Sequence, residues 1–388
     1  MANFAIMGFG TVGSGVAEVL RMNGASIAEK LGERLTLKYI LDVRDLSASP
    51  YASLVVKDFA LLESDPELDV VVESIGGAKV AYEFTRRALL AGKHVVTSNK
   101  ELVAAHGREL LEIARDKNVN YLFEASVGGG IPVLRPLFQC LAGNQIQEIA
   151  GILNGTTNYI LTRMVEGGVP FDEALREAQE KGYAEANPAA DIEGLDAGRK
   201  ICILSDLAWG GEVRPEAISV RGISGLSLED VDVARTLGCR IKLLGRALRL
   251  EDGRTAAYVA PHLVPESSPL SGVDGVFNAV MIRGNAVGDV MLYGRGAGDL
   301  PTASAVMGDV LDALAHREKR RSLGWSQRAE LADVETELSM RWYLRGDGVP
   351  ADKRFPGRAY ITPEAMTARE AKALAQKTGA QALLPVLD

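Results

Sequence analysis

The sequence predicts an α/β protein with an N-terminal Rossmann-type nucleotide-binding domain and a second domain of α+β structure. Three observations lead to this prediction. Apolar strand-like segments alternate with helical ones over residues 3–124, a glycine-rich turn joins the first strand to the first helix, and the pattern changes after residue 132. Strands that alternate with helices form βαβ units with right-handed crossovers, and therefore a parallel sheet.

Composition and charge narrow the range of functions. The 388 residues are 47% hydrophobic and 24% charged, which is typical of a globular protein with two or three domains. An excess of 51 acidic over 43 basic residues gives a net charge of −8, which argues against a nucleic-acid binder that tracks phosphates. No apolar run approaches the ~20 residues that span a bilayer. A small-molecule partner is therefore expected, without nucleic acid or membrane.

The cysteines and the N-terminus predict a cytoplasmic protein. Cys140, Cys202 and Cys239 are widely spaced and form no CxxC pair, as expected of buried, reduced thiols. The N-terminus lacks the basic stretch that precedes the apolar core of a signal peptide. The four histidines show no HxH or HxxxH spacing, so a zinc site is not expected.

The elements of the first domain follow in a regular order. Strands are predicted over 4–7, 35–43, 70–72, 94–97 and 121–124, and helices over 12–20, 78–91 and 102–117. This domain should cover 1–132 and regain a helix at 302–316, so that about 296–322 also belongs to it.

The second domain should cover 133–295. Helices are predicted over 133–142, 157–166, 171–181 and 195–207, and strands over 145–153, 242–250, 255–263, 276–283 and 285–293. The stretch 340–388 shows few signals and is interpreted as a short C-terminal tail.

The glycine-rich turn predicts a dinucleotide cofactor. Gly8, Gly10 and Gly13 match GxGxxG directly after a strand, with Thr11 and Val12 opening a helix. The first glycine permits a tight turn, the second lets the backbone approach a pyrophosphate, and the third lets helix and strand pack closely. The pyrophosphate would lie at the helix N-terminus, where free N–H groups and the helix dipole favour negative charge.

The end of the second strand should distinguish NAD from NADP. An acidic residue there binds the ribose hydroxyls of NAD, whereas an arginine accommodates the 2′-phosphate of NADP. Asp42 and Arg44 are both present, and the period of a strand would place them on one face. Spacing alone leaves both cofactors open, and the two charges could equally pair with each other. Arg44 favours NADP because it can meet a 2′-phosphate.

Three further segments, 97–100, 151–159 and 182–191, are rich in polar residues and glycine. Ligands of open α/β sheets lie outside the carboxyl ends of the strands. Lys100 would then point toward the nicotinamide, although a solvated lysine before a helix is the alternative. The second segment is a pocket wall, a helix start capped by Thr156 or Thr157, or both.

Asp196 and Lys200 are four residues apart and share a face of a predicted helix. An exposed pair would contribute only ~0.3–0.5 kcal/mol. The stretch 201–209 is apolar nearly all round, however, as in a buried helix. A lysine that enters such a helix is partly desolvated, which lowers its pKa and suits it to proton transfer. Glu185 and Asp191 precede the helix and could bind an amino group.

These segments resemble homoserine dehydrogenase over roughly residues 3–320. The resemblance is carried by GFGTVG at 8–13, SNK at 98–100, EASVGGGIP at 124–132, GILNGTTNY at 151–159, residues 182–200 and GAGDLPTA at 296–303. That family interconverts L-homoserine and L-aspartate 4-semialdehyde with NAD(P), on the route to threonine and methionine. The resemblance implies the same activity here.

The resemblance also implies roles for individual residues. Lys200 matches the acid/base lysine of the family, and Asp196 and Glu185 match its substrate-binding carboxylates. Gly182 matches a glycine whose backbone contacts the substrate. Lys100 matches a lysine between cofactor and substrate.

Two further assignments follow from the resemblance alone. Gly298 matches a glycine that contacts the cofactor. Glu124, Val127, Gly129 and Ile131 match a site for a monovalent cation, Na⁺ or K⁺, formed largely by backbone carbonyls. Carbonyl ligands leave no side-chain pattern in a sequence, so the residues themselves do not indicate this cation.

The C-terminal stretch differs from many members of the family. Residues 340–345 resemble the opening strand of a regulatory ACT domain, a βαββαβ unit that senses threonine. The residues after it are too few and too irregular to complete that unit. The sequence therefore predicts a degenerate, ACT-like remnant and leaves threonine inhibition open.

The sequence also bears on two other functions and on the assembly of the protein. A phosphorylating semialdehyde dehydrogenase needs an activated cysteine, and none of the three cysteines has a neighbouring histidine in sequence. A catalytically silent cofactor-binding paralogue or regulator is disfavoured because Lys100, Glu185, Asp196 and Lys200 are present together. The apolar strands of the second domain, together with the resemblance, predict a homodimer.

Overall fold

The computed structural model describes residues 1–321, 323, 325, 327–349 and 359–387. The chain divides into two compact units, Met1–Leu141 with Arg295–Gln327, and Ala142–Gly294 with Arg328–Asp388. The strands are β1 Ala2–Met7, β2 Leu35–Leu41, β3 Val55–Val56, β4 Val70–Glu73, β5 His94–Thr97, β6 Tyr121–Leu122, β7 Ile146–Ile152, β8 Gly211–Glu212, β9 Ser219–Val220, β10 Cys239–Arg249, β11 Thr255–Pro265, β12 Phe277–Gly284, β13 Gly288–Arg295, β14 Gln327–Arg328, β15 Ser339–Met340, β16 Trp342–Arg345, β17 Ala359–Ile361, β18 Met366–Thr367 and β19 Ala382–Pro385.

The helices are α1 Thr11–Leu31, α2 Ala60–Ser64, α3 Lys79–Leu90, α4 Lys100–Asp116, α5 Gly155–Gly167, α6 Phe171–Glu180, α7 Ala189–Ile192, α8 Leu195–Trp209, α9 Leu228–Thr236, α10 Asp299–Ala315, α11 Val334–Glu337 and α12 Ala368–Thr378. No described helix is both long enough and apolar enough to cross a membrane.

The first unit contains a six-stranded sheet in the order β3-β2-β1-β4-β5-β6, whose strands all pair in parallel. Every residue of β1 is buried, as expected when helices cover both faces of a parallel sheet. This arrangement confirms the predicted Rossmann-type domain. Strand β3 was not predicted, because two residues are too short to show an alternating pattern.

Three boundaries in the first unit differ from the predictions. Strand β2 ends at Leu41, so Asp42 and Arg44 lie in the loop beyond it and do not share a strand face. Strand β6 is followed by the 3₁₀ turn Glu124–Ser126. The predicted helix over 133–142 is short and includes the π turn Pro136–Cys140. The ends of short strands and helices depend on tertiary contacts, and a local sequence pattern does not contain these contacts.

The second unit contains a mixed six-stranded sheet in the order β13-β12-β7-β10-β11-β9. Strand β7 pairs antiparallel with β10 and β12, and β9 pairs parallel with β11. Helix α8 lies against this sheet, where a Cβ added to Gly245 would be 3.1 Å from Cβ of Ile201. Ile201, Cys202, Ile203 and Leu204 are fully buried, which confirms that the first part of this apolar stretch lies in a buried helix. Together the two units give the predicted α/β architecture.

Helix α9 was not predicted, although its start has a recognisable signal. Ser227 and Asp230 form a capping box, in which each side chain accepts from the other residue's backbone N–H. Asp230 is fully buried and accepts from Nε of Arg345 at 2.7 Å and from the Tyr343 hydroxyl at 3.1 Å. This contact joins α9 to β16.

The described part of the C-terminal stretch belongs to the second unit. Strands β17, β16 and β19 form one antiparallel sheet, and Trp342 and Leu344 pack in one apolar cluster with Tyr258 and Ala260 of β11. Residues 350–358 and 388, which fall in the predicted tail, lie outside the described residues. All three cysteines are free thiols, but Cys140 is exposed, contrary to the prediction of three buried thiols.

Candidate active site

The turn between β1 and α1 has the geometry of a phosphate-binding loop. Gly8 has a positive φ of 89°, and a Cβ on it would lie 2.8 Å from the Ser74 oxygen. A Cβ on Gly13 would lie 2.1 Å from the Gly8 oxygen, so only glycine lets the helix approach the strand this closely. Both residues are required by the fold itself.

Gly10 differs from these two glycines. It is the N-cap of α1, and among the described residues no heavy atom lies within 4 Å of a Cβ built on it. Thr11 and Val12 form the start of the helix, where backbone N–H groups have no partner within the helix. Free space beside these N–H groups is suited to an anionic ligand.

Asp42 and Arg44 form an ion pair beyond the end of β2. Nη2 of Arg44 lies 2.6 Å from Oδ2 of Asp42, and Nε lies 3.0 Å from Oδ1. The Asp42 carboxylate also accepts from the backbone N–H of Phe9 at 2.7 Å, inside the glycine turn. The Arg44 side chain is 55% exposed, whereas that of Asp42 is 5% exposed. The sequence left open that these two charges pair with each other, and the structure shows this ion pair.

A buried carboxyl joins the carboxyl ends of β4 and β5. Glu73 accepts from the backbone N–H of Ile75 at 2.7 Å and from the hydroxyl of Thr97 at 2.5 Å. Burial raises the pKa of Glu73 to about 7. The neighbouring Asn99 caps α4 and donates to the backbone oxygens of Ile75 and Gly77. Lys100 is therefore the first residue of a helix whose N-terminus is fixed by the hydrogen bonds of Asn99.

The loop 124–131 contains the carbonyl groups assigned to a cation. The carboxylate of Glu124 accepts from the backbone N–H groups of Val133, Leu134 and Arg135, at 2.6, 2.7 and 2.8 Å. Its side chain is thus committed to the following helical turn. The backbone oxygen of Glu124 is not used by these three contacts.

The other three residues assigned to the cation lie in the same loop. Among the backbone–backbone hydrogen bonds of the described turns and loops, none is accepted by the backbone oxygens of Val127, Gly129 and Ile131. Gly129 has a φ of +58°, and a Cβ on it would be 2.2 Å from the Gly296 oxygen. Gly298 lies two residues after Gly296. It is the N-cap of α10 and has a φ of +122°. No group of three or more metal-binding side chains occurs in the described chain.

Three of the predicted polar side chains meet in the second unit, together with Asn154. Nζ of Lys200 lies 2.9 Å from Oδ2 of Asp196 and donates to the backbone oxygen of Leu153 at 2.7 Å. The Asn154 amide donates to Oδ2 of Asp196 at 2.9 Å and to Oδ1 of Asp191 at 2.6 Å. Asn154, Asp196 and Lys200 are all buried. The end of β7 thus contacts the start of α8 through side chains that can move protons and bind an amine.

The loop that holds Gly182 and Glu185 runs beside the start of α5. The hydroxyl of Thr156 donates to the backbone oxygen of Tyr183 at 2.6 Å, and Gly182 has a φ of +72°. Gly182 and Glu185 are both exposed, so their groups are accessible to a ligand. The amide of Gln179 donates to the backbone oxygen of Glu185 at 3.1 Å. This hydrogen bond involves the backbone of Glu185 and not its carboxylate.

Two functional candidates were missed as individual residues. Asn154 and Glu73 each join segments that are distant in sequence. The signal for Asn154 was its place at the end of a strand and before a helix, where an N-cap is expected. The signal for Glu73 was one carboxyl at the end of an otherwise apolar strand, which is costly to bury without hydrogen bonds.

Comparison with known proteins identifies the family. The sequence model described as "Homoserine dehydrogenase" matches residues 132–311, and the one for "Homoserine dehydrogenase, NAD binding domain" matches residues 8–124. A homoserine dehydrogenase of Neisseria gonorrhoeae is 43% identical over 354 residues, which cover 88% of this chain and 81% of that protein.

Solved structures agree with this result. The structure of a homoserine dehydrogenase from Thiobacillus denitrificans matches with a TM-score of 0.90 and 36% identity, over 100% of this chain and 98% of that one. A hyperthermophilic archaeal homoserine dehydrogenase in complex with NADPH matches with a TM-score of 0.68 and 29% identity, over 81% of this chain and 98% of that one. The chain therefore belongs to the homoserine dehydrogenase family, and it is an NAD(P)-dependent oxidoreductase that acts on the hydroxyl group of homoserine.

Proposed function

We propose that Lys200 is the acid/base residue of this homoserine dehydrogenase. The observation that carries the proposal is its buried ion pair with Asp196, 2.9 Å long, beside the end of β7. No histidine occurs in the stretches 151–159 and 182–200, so the usual acid/base side chain is absent from them. A carboxylate of ordinary pKa is too weak a base for an alcohol.

The chemistry follows from the charges of this cluster. NAD(P), when bound, would supply the hydride acceptor for C4 of homoserine and, in the reverse direction, the hydride donor for the semialdehyde. An ammonium group held by Asp196 donates a proton to the carbonyl oxygen during reduction, and the resulting amine takes it back during oxidation. Asp191 and Glu185 bind the substrate's ammonium group, and the backbone of Gly182 contacts the substrate.

The cofactor would lie along Gly8, Gly10 and Gly13, with its pyrophosphate at the N-terminus of α1. Lys100 acts at the nicotinamide end, and the backbone of Gly298 contacts the cofactor. NADP is the preferred cofactor in this proposal. Support comes from Asp42, whose carboxylate accepts from Phe9 N–H, and from the half-exposed Arg44 guanidinium, which can turn to a 2′-phosphate.

A monovalent cation, Na⁺ or K⁺, is proposed at the backbone oxygens of Glu124, Val127, Gly129 and Ile131. The cation would stabilise the conformation of the loop 124–131, which precedes the helical segment with the π turn Pro136–Cys140. Activity in buffers with K⁺ or Na⁺ should exceed activity in a choline buffer of equal ionic strength. Equal activity in all three would remove the cation from the proposal.

A homodimer formed by the second unit is also proposed, in the cytoplasm, where the three free thiols would stay reduced. Strand β13 stands at one end of the sheet order, and its Met291 and Tyr293 are 38% and 53% exposed. Exposed apolar side chains on an edge strand favour pairing with another chain. Sedimentation at micromolar concentration should give twice the mass of one chain, and a monomer would contradict this.

A turnover assay tests the activity, the substrate and the cofactor together. L-Homoserine with NADP⁺ or NAD⁺, and L-aspartate 4-semialdehyde with the reduced cofactors, should each show a change in nicotinamide absorbance. L-Serine, which is shorter by one methylene group, is the matched control. Cofactor binding without turnover of homoserine would favour the catalytically silent paralogue or regulator.

A further inference from the structure

Asn154 occupies the junction between β7 and α5, and its amide makes contacts in two directions. Its Oδ1 accepts from the backbone N–H of Thr157 at 2.9 Å, which caps α5. Its Nδ2 donates to Oδ1 of Asp191 at 2.6 Å and to Oδ2 of Asp196 at 2.9 Å. The residue is 6% exposed, so water does not compete freely for these bonds.

The helix cap determines which way the amide points. A helix N-terminus needs an acceptor, so the oxygen of Asn154 must face Thr157. The two hydrogens of the NH₂ group then face Asp191 and Asp196, and the reverse orientation would put oxygen against oxygen. The amide therefore presents a donor to each carboxylate for a local reason that is independent of any ligand.

This orientation has an electrostatic consequence. The two carboxylates accept from the same nitrogen atom and are immediate neighbours, so each disfavours ionisation of the other. Donation to both counteracts that repulsion, because a hydrogen bond to the charged form of a carboxyl favours that form. Asp196 can then hold Lys200 while Asp191 remains charged as well.

We infer that Asn154 is a positioning residue of the active site, which keeps Asp191 and Asp196 ionised side by side. Asp196 thereby holds Lys200 in place, and Asp191 keeps the negative charge that would attract the ammonium group of an amino-acid substrate. Asn154 itself transfers no proton. This inference rests on the proposed role of Lys200 as the acid/base residue.

Two variants separate the capping of α5 by Asn154 from its donation to Asp191 and Asp196. Asn154→Asp keeps an acceptor for Thr157 but replaces the donor with an oxygen of a third carboxylate. Asn154→Ser also keeps an acceptor, with a shorter side chain that no longer reaches both carboxylates. Thr367→Ala is the matched control, because Thr367 caps α12 in the same unit and lies far along the chain from the cluster.

The expected results differ between the variants. Asn154→Asp should fold, lower kcat by roughly 100-fold, and move the acidic limb of the pH profile of kcat/KM up by about one pH unit, because a third carboxylate makes ionisation of the cluster less favourable. Asn154→Ser should lower kcat by roughly 10-fold and raise the KM for homoserine. Thr367→Ala should lower only the unfolding temperature. NADP(H) binding, followed by fluorescence, should be unchanged in all three.

A purely structural role would give a different pattern. If both Asn154 variants, corrected for the folded fraction, kept the wild-type kcat, KM and pH profile, the inference would be wrong. If Asn154→Asp does not fold, the KM and pH profile of Asn154→Ser decide the same question. Lys200→Arg tests the proposed function separately from the role of Asn154. If Lys200→Arg is inactive while both Asn154 variants are fully active, the acid/base role of Lys200 stands and only the role of Asn154 is overturned.

Discussion

Lys200 and Asp196 form an ion pair in which Nζ lies 2.9 Å from Oδ2 and the side chains are only 9% and 5% exposed. The two residues are one helical turn apart, a spacing that on a protein surface contributes little to stability. Here the pair is buried, and Nζ donates in addition to the backbone oxygen of Leu153. A charge pair that costs free energy to bury and is nevertheless present favours a functional role for it.

Lys200→Ala should lower kcat by about 10²–10⁴-fold, the usual contribution of general acid–base catalysis, with cofactor affinity nearly intact. Lys242→Met is the matched control, because Lys242 is a second buried lysine of the same unit, paired with Asp274 at 2.9 Å; its kcat per folded enzyme should be close to wild type. Lys100→Ala should change KM as well as kcat. Wild-type kcat and an unchanged pH profile in Lys200→Ala would move the acid/base role to Lys100 or to a bound water.

Gly10→Val should abolish cofactor binding while the protein still folds. The described residues leave space beside Gly10, and a valine would fill the volume proposed for the pyrophosphate. Gly13→Val is the contrasting variant: a Cβ there would be 2.1 Å from the Gly8 oxygen, so this variant should not reach the native fold. Circular dichroism and cofactor titration measure both results. Unchanged cofactor affinity in Gly10→Val would refute the proposed path of the cofactor.

Arg44→Ala should raise the KM for NADP much more than the KM for NAD. The guanidinium now pairs with Asp42, whose carboxylate has a second donor in the Phe9 N–H. Arg44 can therefore leave the pair for a 2′-phosphate without isolating the carboxylate. Steady-state kinetics with both cofactors is the measurement. An equal change in the two KM values would exclude Arg44 from binding the 2′-phosphate.

Glu73→Gln should weaken the dependence of stability on pH. Burial raises the pKa of Glu73 from its ordinary value of 4.5 to about 7, so between these values the folded chain holds a proton that the unfolded chain has lost. Stability therefore falls as pH rises through this window, by up to ~3 kcal/mol, and the loss is complete above the folded pKa.

Unfolding midpoints at pH 5, 6, 7 and 8 test this prediction. Glu63→Gln is the control: Arg87 holds the pKa of Glu63 below its ordinary value, so that carboxyl is charged in both states between pH 6 and 8. The wild type and Glu63→Gln should lose stability over this range, and Glu73→Gln should lose less. Identical slopes in all three proteins would contradict the assignment.

Arg345→Met should destabilise the second unit by about 3–5 kcal/mol, the usual cost of removing one partner from a buried ion pair. The variant leaves Asp230, which is fully buried, without the donors at 2.7 and 3.1 Å that Arg345 supplies. Urea denaturation measures the change. Arg254→Met is the control at a more exposed site, since Arg254 pairs with Asp252 and Glu337, whose side chains are 50% and 35% exposed. A change in Arg345→Met no larger than in this control would show that β16 is not anchored through Asp230.

Much of the fold and part of the site could be predicted from short-range patterns. The order of β1, the glycine turn and α1 is encoded in adjacent residues, because glycine spacing and the shift from strand to helix period are local properties. The same holds for Lys200, which enters an apolar helix one turn after Asp196. The resemblance to homoserine dehydrogenase rested on such segments, and the comparisons confirmed it.

The partners of these groups were decided only by the tertiary structure. Asn154 contacts Asp191 and Asp196 from 37 and 42 residues away, and the Asp42 carboxylate reaches Phe9 across 33 residues. No periodic pattern encodes contacts at such separations, because they depend on how strands are ordered in a sheet and where each one ends. The sequence by itself therefore predicted which side chains could carry the chemistry, and the packing of the chain decided which of them are buried together and held in one orientation.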